Sequence, residues 1–207
     1  SGNYSGGAGG GLHLAQLSAA TLSESRLVDN VAGTEGGGLY AYAVTYLDGG
    51  LLEICTNEAA DGGGVYLRET GAGSQLSNAV LLGNTAERYG GGLAAVSASG
   101  LAITNAALAG NDAAVSGAAV FANSVALDFV NNAVVYHTGS EALSGNSETL
   151  KGSSFEYSDW YNNVVGSVGG ALVALDLEAD GNFSEPPGFR DYTAGDCDSD
   201  LRLDALS

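Results

Sequence analysis

Two acidic phrases near the end of the chain contain residue types that could bind a metal ion. In "DLEADGN", residues 176–182, oxygen-bearing side chains alternate with other residues and a glycine permits a turn, and "DCDSD", residues 196–200, repeats the alternation. Clustered hard oxygen ligands favour Ca²⁺, although the first phrase has Pro187 where an EF-hand loop has its closing glutamate. A solvated acidic turn is the favoured alternative. The candidate calcium ligands are Asp176, Glu178, Asp180, Asn182, Asp196, Asp198 and Asp200.

Residues that could perform catalysis are scattered along the sequence. Asp159, in "YSDWYNN", is the best single carboxylate because aromatic residues flank it, but a solvated turn residue is the simpler interpretation. His13 and His137 have no serine, cysteine or metal-ligating residues at a spacing typical of an active site. We therefore assign no catalytic residue, while noting that two carboxylates brought together by the fold would change this.

Aromatic residues recur at one position of several short alternating segments. If these segments are strands of one sheet, the aromatic row would lie on its outward face, where it could stack on sugar rings or pack against a protein. The favoured alternative is that the rings stack on one another and stabilise the sheet. The candidate ligand face comprises His13, Tyr40, Tyr42, Tyr66, Arg68 and Phe121.

The elements that would position these residues repeat every 27 residues. This is the spacing of five asparagines, Asn3, Asn30, Asn57, Asn84 and Asn111. An aliphatic residue lies three positions before each of the last four, and glycine triplets recur with the same period to within one residue. One period later, Val135 and Thr138 take the aliphatic and asparagine positions. Such periodicity is typical of a solenoid.

Short segments such as "LYAYAV" and "VYLRET" predict strands, because alternation and β-branched or aromatic residues dominate them. Strands that recur at this period without intervening helices predict an all-β, single-stranded parallel β-helix of about six to seven coils. Glycine would turn the corners, where a positive φ is needed. The asparagines would form a structural ladder, hydrogen-bonded along the coil axis.

Stacked coils would place similar residues above one another in inward columns. We expect four columns: Leu12, Leu39, Val65, Leu93 and Val120; Leu14, Ala41, Leu67, Ala95 and Ala122; Leu22, Leu76, Ile103 and Val130; and Leu27, Ile54, Leu81, Leu108 and Val135. A second, partial asparagine column would contain Asn78, Asn105 and Asn132.

The period loosens in the last third of the chain. Residues 1–175 are expected to form the coils, with a polar outward loop near 139–154, and 176–207 an acidic C-terminal segment ending the β-helix. Trp160 and Asn163 restore the spacing after the loop. Cys55 and Cys197 are expected to be free thiols, with one disulfide as the alternative. Without a signal peptide, the sequence is expected to be a piece of a larger exported polypeptide.

The charge of the chain limits its partners. Acidic residues outnumber basic ones 24 to 6, which gives a net charge of −18. Such a surface repels nucleic acid and anionic lipid, so neither is expected as a partner. No stretch approaches the ~20 continuous apolar residues of a membrane span, so direct membrane insertion is not expected either.

The repeats resemble a known family. Glycine pairs before an aliphatic residue, with "LVDN", "ICTN", "LLGN" and "LAGN", are similar to the repeats of polymorphic outer-membrane-protein type β-helices in the pectin-lyase-like superfamily. The tail, "GNFSEPPGFRDYTAGDCDSDLRLDALS", is similar to the terminal segment of secreted bacterial β-helix proteins. The resemblance implies a right-handed β-helix and export to the bacterial outer surface. The superfamily includes adhesins, passenger domains, lyases and hydrolases, so the resemblance alone does not decide function.

The leading functional hypothesis is a secreted or cell-surface segment that acts as a stalk, adhesin or filament unit. Its partners would be extracellular glycans or proteins, with end-to-end self-association through exposed coil ends. The alternative is a carbohydrate-active domain, a polysaccharide lyase or glycoside hydrolase, that binds an extended polysaccharide across the aromatic face. Calcium is the one cofactor for which the sequence offers candidate ligands.

Overall fold

The computed structural model describes residues 1–187, 189, 192–193, 196–198 and 201. The chain winds into a parallel β-solenoid of about six turns with a spacing close to 27 residues, which confirms the predicted all-β fold class. Each turn, called a lap below, contributes strands to three sheets. Within each sheet a strand pairs in parallel with its counterparts in the laps before and after it.

The three sheets are named here in the order in which the chain passes through them after a glycine triplet. The third sheet contains β1 (Tyr4–Ser5), β4 (Val31–Ala32), β7 (Glu58–Asp61), β11 (Thr85–Tyr89) and β15 (Asp112–Ala113). The first contains β2 (Leu12–Ala15), β5 (Leu39–Tyr42), β8 (Val65–Arg68), β12 (Leu93–Val96), β16 (Val120–Asn123), β19 (Leu143–Gly145) and β21 (Val168–Gly170). The second contains β3 (Ala20–Val28), β6 (Leu47–Cys55), β9 (Ser74–Ser77), β10 (Val80–Leu82), β13 (Leu101–Thr104), β14 (Ala107–Ala109), β17 (Leu127–Val130), β18 (Ala133–Val135) and β20 (Ser154–Glu156). Two short helices follow late strands, α1 (Ser147–Gly152) and a 3-10 helix (Ala171–Ala174).

Inward side chains of consecutive laps stack to form the core. In the first sheet Leu39 pairs with Val65, and Leu93 pairs with both Val65 and Val120, as predicted. Each of these four side chains is at most 1% exposed. Burial of such a side chain contributes roughly 1.5–3 kcal/mol. Because one lap cannot enclose its own apolar face, this stabilisation is shared between neighbouring laps.

The glycine triplets form the corner between the third and first sheets. In the triplet at 62–64, Gly62 has φ +62°, a conformation that residues with a side chain rarely adopt. A Cβ atom at Gly63 would overlap the backbone carbonyl of Thr85 in the next lap. Glycine is therefore required twice at this corner, for the turn and for the close approach of neighbouring laps.

In the second sheet and the ladder the spacing between the later laps falls from 27 to 26 residues, and four predicted column positions are wrong for this reason. Each error is one residue: Phe129, not Val130, stacks on Ile103; Val134, not Val135, stacks on Leu108; His137, not Thr138, follows Asn111; and Asn131, not Asn132, follows Asn105. The contacts between Asn111 and His137 and between Asn105 and Asn131 each span 26 residues. A shift of one residue exchanges the two faces of a strand, so the outward residues also differ from those expected.

The predicted outward loop at 139–154 is also wrong. Strand β19 lies inside this range and continues the first sheet, pairing with β16 before it and β21 after it. Helix α1 follows, capped by the Asn146 side chain, which accepts a hydrogen bond from the Thr149 backbone amide at 3.0 Å. Thr149 is fully buried and donates to the carbonyl of Ala122. The polar residues thus cap a helix that packs on the laps.

The last part of the chain folds back over the outside of the second sheet. Cys55 and Cys197 form a disulfide, so the expectation of two free thiols is wrong. Cys55 belongs to an outward column that we call the outer strip: Cys55, Leu82, Ala109 and Val135. These side chains are at most 1% exposed, because tail residues and two tyrosines cover them: Tyr136, Tyr161, Phe189, Tyr192, Cys197 and Leu201. Two residues separated by 142 positions are therefore joined at the surface of an early lap.

Candidate functional site

The asparagine ladder lies in one buried column between the second and third sheets. The Asn30 side-chain amide donates to Oδ1 of Asn57 at 2.9 Å, and Asn57 donates to Oδ1 of Asn84 in the same way. Each Oδ1 also accepts the backbone amide of the preceding ladder residue, for example Asn30 N at 3.0 Å. Asn3 begins the column from an exposed position, bonding to Asn30 at 2.8 Å. Both polar atoms of Asn57 and Asn84 are thus used internally, which is the geometry of a structural element.

His137 occupies the ladder position after Asn111 and makes the bonds of an asparagine. Its Nδ1 accepts the Asn111 backbone amide at 3.1 Å, and its Nε2 lies 3.0 Å from the carbonyl oxygen of Leu108. The neutral tautomer with the proton on Nε2 satisfies both contacts. Burial lowers the pKa of His137 from 6.5 to about 4. The 27-residue repeat predicts a ladder residue in this lap, but it points to the neighbouring Thr138 because the lap is one residue shorter.

The predicted aromatic face is continuous over the first three laps. The rings of His13 and Tyr40 lie 4.7 Å apart, and those of Tyr40 and Tyr66 lie 5.8 Å apart in a stacked arrangement. Beside them, the Arg68 guanidinium lies 5.8 Å from the centre of the Tyr42 ring. Tyr66 is only 8% exposed, so much of this surface is occupied by contacts between the rings themselves.

A bulge separates Phe121 from the rest of that row. The register between β7 and β11 shifts between Ala86 and Tyr89. Tyr89 consequently stacks on Phe121 at 4.7 Å, whereas the residue in the row between Tyr66 and Phe121 is the buried Ala94. The predicted ligand face is therefore divided into two clusters of rings. One contains His13, Tyr40 and Tyr66, and the other contains Tyr89 and Phe121. Sequence reasoning missed Tyr89 because a bulge places it there and the repeat does not.

Arg88 emerges from the same bulge and pairs with Asp61 one lap earlier. Its Nε lies 3.1 Å from Oδ1 of Asp61, and its Nη2 lies 2.5 Å from Oδ2. Burial raises the pKa of Asp61, while hydrogen bonds from the Arg88 guanidinium oppose the shift. The pair ties two laps of the third sheet.

A cleft of about 370 Å³ lies between the later laps and the tail. Its floor is a column of small outward residues, in which Ala107 pairs with Ala133 and Ala133 bridges to Asp159. Phe183 bridges to Asp159 at the end of the column. Asparagines and Tyr157 border one side, and tail residues border the other. The described lining residues are Asn105, Ala106, Ala107, Asn131, Asn132, Ala133, Tyr157, Asp159, Phe183, Pro186, Pro187, Phe189 and Leu201.

Asp159 is the one carboxylate among the described residues that line this cleft. It is 5% exposed, so its interpretation as a solvated turn residue is wrong. One carboxylate oxygen accepts the backbone amide of Glu185 at 3.2 Å. Burial raises the pKa of Asp159, the backbone amides of Glu185 and Trp160 oppose this shift, and the charge of Glu185 adds to it. Asp159 thus presents a largely desolvated acceptor group.

The proposed calcium ligands are only partly described, because Asp200 lies outside the described residues. Asn132, Ser158 and Asn182 form a second buried column, in which Ser158 accepts the Asn132 amide. Asn182, which is 8% exposed, accepts the Ser158 amide at 2.9 Å and donates to the carbonyl of Phe155 at 2.7 Å. Asp176 and Asp196 each accept a backbone amide two residues further along. Within the described part of the chain, no group of three or more His, Cys, Asp or Glu residues is arranged to hold a metal ion. Calcium binding stays a prediction.

The cleft was not predicted, because half of it is built by the tail. The sequence signal would have been the small outward residues Ala107 and Ala133, one shortened lap apart and next to exposed asparagines. The amide of Glu185, just before Pro186, bonds to Asp159 of the last lap, whereas Phe189 and Leu201 pack on the outer strip together with Cys197, whose pairing the sequence left open.

The geometry defines the class of protein: a parallel β-solenoid with a buried asparagine ladder, glycine corners and a disulfide-bonded tail. Comparison with models of known families, with curated protein sequences and with solved structures finds no match. No helix in the described ranges combines the length and the apolar character needed to cross a membrane.

Proposed function

We propose that this chain is a structural and adhesive β-solenoid segment, secreted or displayed on a cell surface, that binds extracellular glycans or proteins. The observation that carries the proposal is the disulfide between Cys55 and Cys197. Disulfides of this kind persist in oxidising compartments and are rare in the cytosol. The strongly acidic surface also suits an exported protein that remains soluble.

The internal use of polar groups supports a structural role. The ladder amides bond to one another and to backbone carbonyls, and the rings of the first sheet stack together. A rod of this kind resists local opening, because each lap is held by hydrogen bonds and side-chain packing on both sides. Such a rod presents its outer surface at fixed spacing, as a stalk or adhesin must.

The glycine corners and the asparagine column also support a relationship to the polymorphic outer-membrane-protein type repeats within the pectin-lyase-like superfamily. We place the protein there as part of the proposal. That relationship would make export to a bacterial outer surface the natural localisation.

The second candidate is a carbohydrate-active domain, and the cleft favours it. A buried carboxylate with a raised pKa beside exposed aromatic rings is a combination found at sugar-cleaving sites. It ranks second because such chemistry uses a pair of carboxyl groups, and Asp159 is the one carboxylate among the described residues that line the cleft.

An adhesion assay tests the proposal. Beads coated with the folded chain are passed over immobilised extracellular-matrix proteins and glycans, and retention is compared with that of beads coated with the Leu81→Asp variant, whose laps are expected to unfold. Saturable retention of the folded chain alone supports the proposal. Equal retention of both beads, or none on any surface, overturns it. Release of unsaturated or reducing-end products from a polysaccharide would establish the second candidate instead.

A further inference from the structure

The cleft between the later laps and the tail has the dimensions of a ligand site. Its volume of about 370 Å³ lies within the range of small-molecule pockets, roughly 300–1,000 Å³. The alanine floor runs parallel to the solenoid axis, so the cleft follows the lap spacing of about 4.8 Å. Asn105, Asn131 and Tyr157, from three successive laps, all line the cleft, so a short linear ligand along the axis would contact each of them.

Two aromatic side chains on the cleft wall are left open. Tyr157 is 58% exposed and Phe183 is 49% exposed, in contrast to the mutually stacked rings of the first sheet. Exposed rings at a concave site offer flat apolar surfaces, and Tyr157 adds a hydroxyl group. The faces of pyranose rings carry C–H groups that pack on such surfaces.

The polar groups of the cleft can bind hydroxyl groups. Asn131 donates from Nδ2 to Oδ1 of Asn105 at 2.6 Å. This bond leaves one donor group, Nδ2 of Asn105, and one acceptor, Oδ1 of Asn131, with no hydrogen-bond partner among the described residues. The Asp159 carboxylate adds an acceptor that solvent barely reaches. A ligand that both donates and accepts hydrogen bonds along one edge would satisfy all three groups.

Charge excludes one class of ligand. None of the described lining residues is a lysine or arginine, and the chain carries a net charge of −18. A polyanion such as a polyuronate would therefore be repelled. A cationic peptide would gain attraction from Asp159 but would leave the apolar ring faces without a matching surface.

We propose that this cleft binds a short neutral saccharide, with Tyr157 and Phe183 packing on sugar rings and Asn105, Asn131 and Asp159 bonding to hydroxyl groups. The inference rests on the proposed adhesive function, because it names the ligand class and the site through which adhesion to glycans occurs. Pro186, Pro187 and Phe189 of the tail also line the cleft, and Phe189 packs on the same outer strip as Cys197, so the disulfide helps to hold this part of the site.

Saturation-transfer NMR and calorimetry on the full chain test the site. The probes are cellotriose, maltotriose and triacetylchitotriose, with trigalacturonate and trilysine as charged comparisons. We expect at least one neutral trisaccharide to bind, and Tyr157→Ala to weaken its binding about tenfold. The matched control is Tyr4→Ala, which removes a ring that is 78% exposed in the first lap, far from the cleft. Thermal unfolding verifies that both variants are folded.

Reduction of the disulfide is the second test, because Phe189 and Leu201, which line the cleft, pack on the outer strip together with Cys197. Affinity for the same trisaccharide should fall about tenfold or more in the reduced chain. Saccharide binding that is equal in Tyr157→Ala and Tyr4→Ala, binding of trilysine alone, or the absence of binding overturns the inference.

The two proposals fail separately. If beads adhere to glycans and Tyr157→Ala adheres as well as the parent, the cleft proposal falls and the adhesive function stands. If soluble trisaccharides bind in the cleft but no surface retains the beads, the adhesive function falls and the saccharide site stands.

Discussion

The early and later laps of this solenoid both stack through parallel strands and ladder hydrogen bonds, but the early laps repeat more regularly. In the early laps ladder contacts span 27 residues, the ladder residues are asparagines, and the outward rings of the first sheet stack on one another. In the later laps the contacts from Asn111 to His137 and from Asn132 to Ser158 span 26 residues. There a histidine enters the ladder, helix α1 follows one strand, and two outward rings are open. The cleft lies among the later laps. The comparison indicates that strict repetition builds the regular early laps, and that the cleft forms where the repetition is interrupted.

The exchange of asparagine for histidine shows what the ladder position requires. Both side chains offer one acceptor and one donor at the same place: Asn111 donates to the carbonyl of Leu81 at 2.9 Å, and His137 approaches that of Leu108 at 3.0 Å. Hydrogen-bond geometry is therefore the constraint, and residue identity is secondary. As a consequence, the titratable side chain of His137 lies in the core.

The largest expected effect comes from a charge in the core of the early laps. Leu81 is 1% exposed and stacks between Ile54 and Leu108. Leu81→Asp should lower the free energy of unfolding by more than about 4 kcal/mol, because it buries an unpaired carboxylate and removes aliphatic packing. Urea denaturation followed by circular dichroism measures the change.

The matched control for that substitution is Leu51→Asp. Leu51 belongs to the same strand, β6, but is 56% exposed. It should stay within about 0.5 kcal/mol of the parent. If the two variants denature alike, Leu81 does not lie inside the solenoid.

The next largest effect is expected from breaking the disulfide that joins the tail to an early lap. Reduction of the disulfide, or Cys197→Ala, should lower the free energy of unfolding by about 4 kcal/mol, since the bond closes a long loop in the unfolded chain. The Tyr192 ring, stacked at 4.8 Å on Tyr136, should leave the outer strip. Proteolysis confined to the tail, with the laps intact, is the expected local readout; a tail equally resistant in both redox states would contradict the fold-back.

The smallest expected effect is a dependence of stability on pH, which arises because the ladder contains His137 in place of an asparagine. The folded pKa of His137 is about 4, below its ordinary value of 6.5, so the unfolded chain binds a proton more readily than the folded one between these values. The contribution of neutral His137 is therefore complete above pH 6.5 and is lost as pH falls towards 4. The loss should reach about 3 kcal/mol.

His137→Asn tests this directly. Asparagine reproduces both hydrogen bonds and does not titrate, so the variant should lose less stability than the parent between pH 6.5 and 4. Other titrating groups are common to the two proteins and cancel in the difference between their denaturation profiles. Identical profiles would show that His137 is not buried in its neutral form.

The sequence predicted the ladder and the inward columns of the early laps almost residue by residue. Residues that stack in successive laps recur at a fixed spacing in the sequence, so the repeat reveals them. It failed by one residue at Phe129, Val134 and His137, since a lap shortened by one residue can still be aligned to the original period by similar neighbours. Tyr89 was missed because a bulge is a backbone feature without a repeat. The cleft was missed because it combines residues of the later laps with residues of the tail, and these segments share no pattern.

The fold-back of the tail has a mechanical consequence. Tension applied to the chain beyond Cys197 is transmitted through the disulfide to Cys55 in the second lap, so it bypasses the final laps and does not peel them away one strand at a time. The laps between these two anchor points would therefore carry no tension, and they would unfold under load only after the covalent bond itself is reduced. For a molecule held between two surfaces, the redox state of one cysteine pair would thus set the force at which it extends.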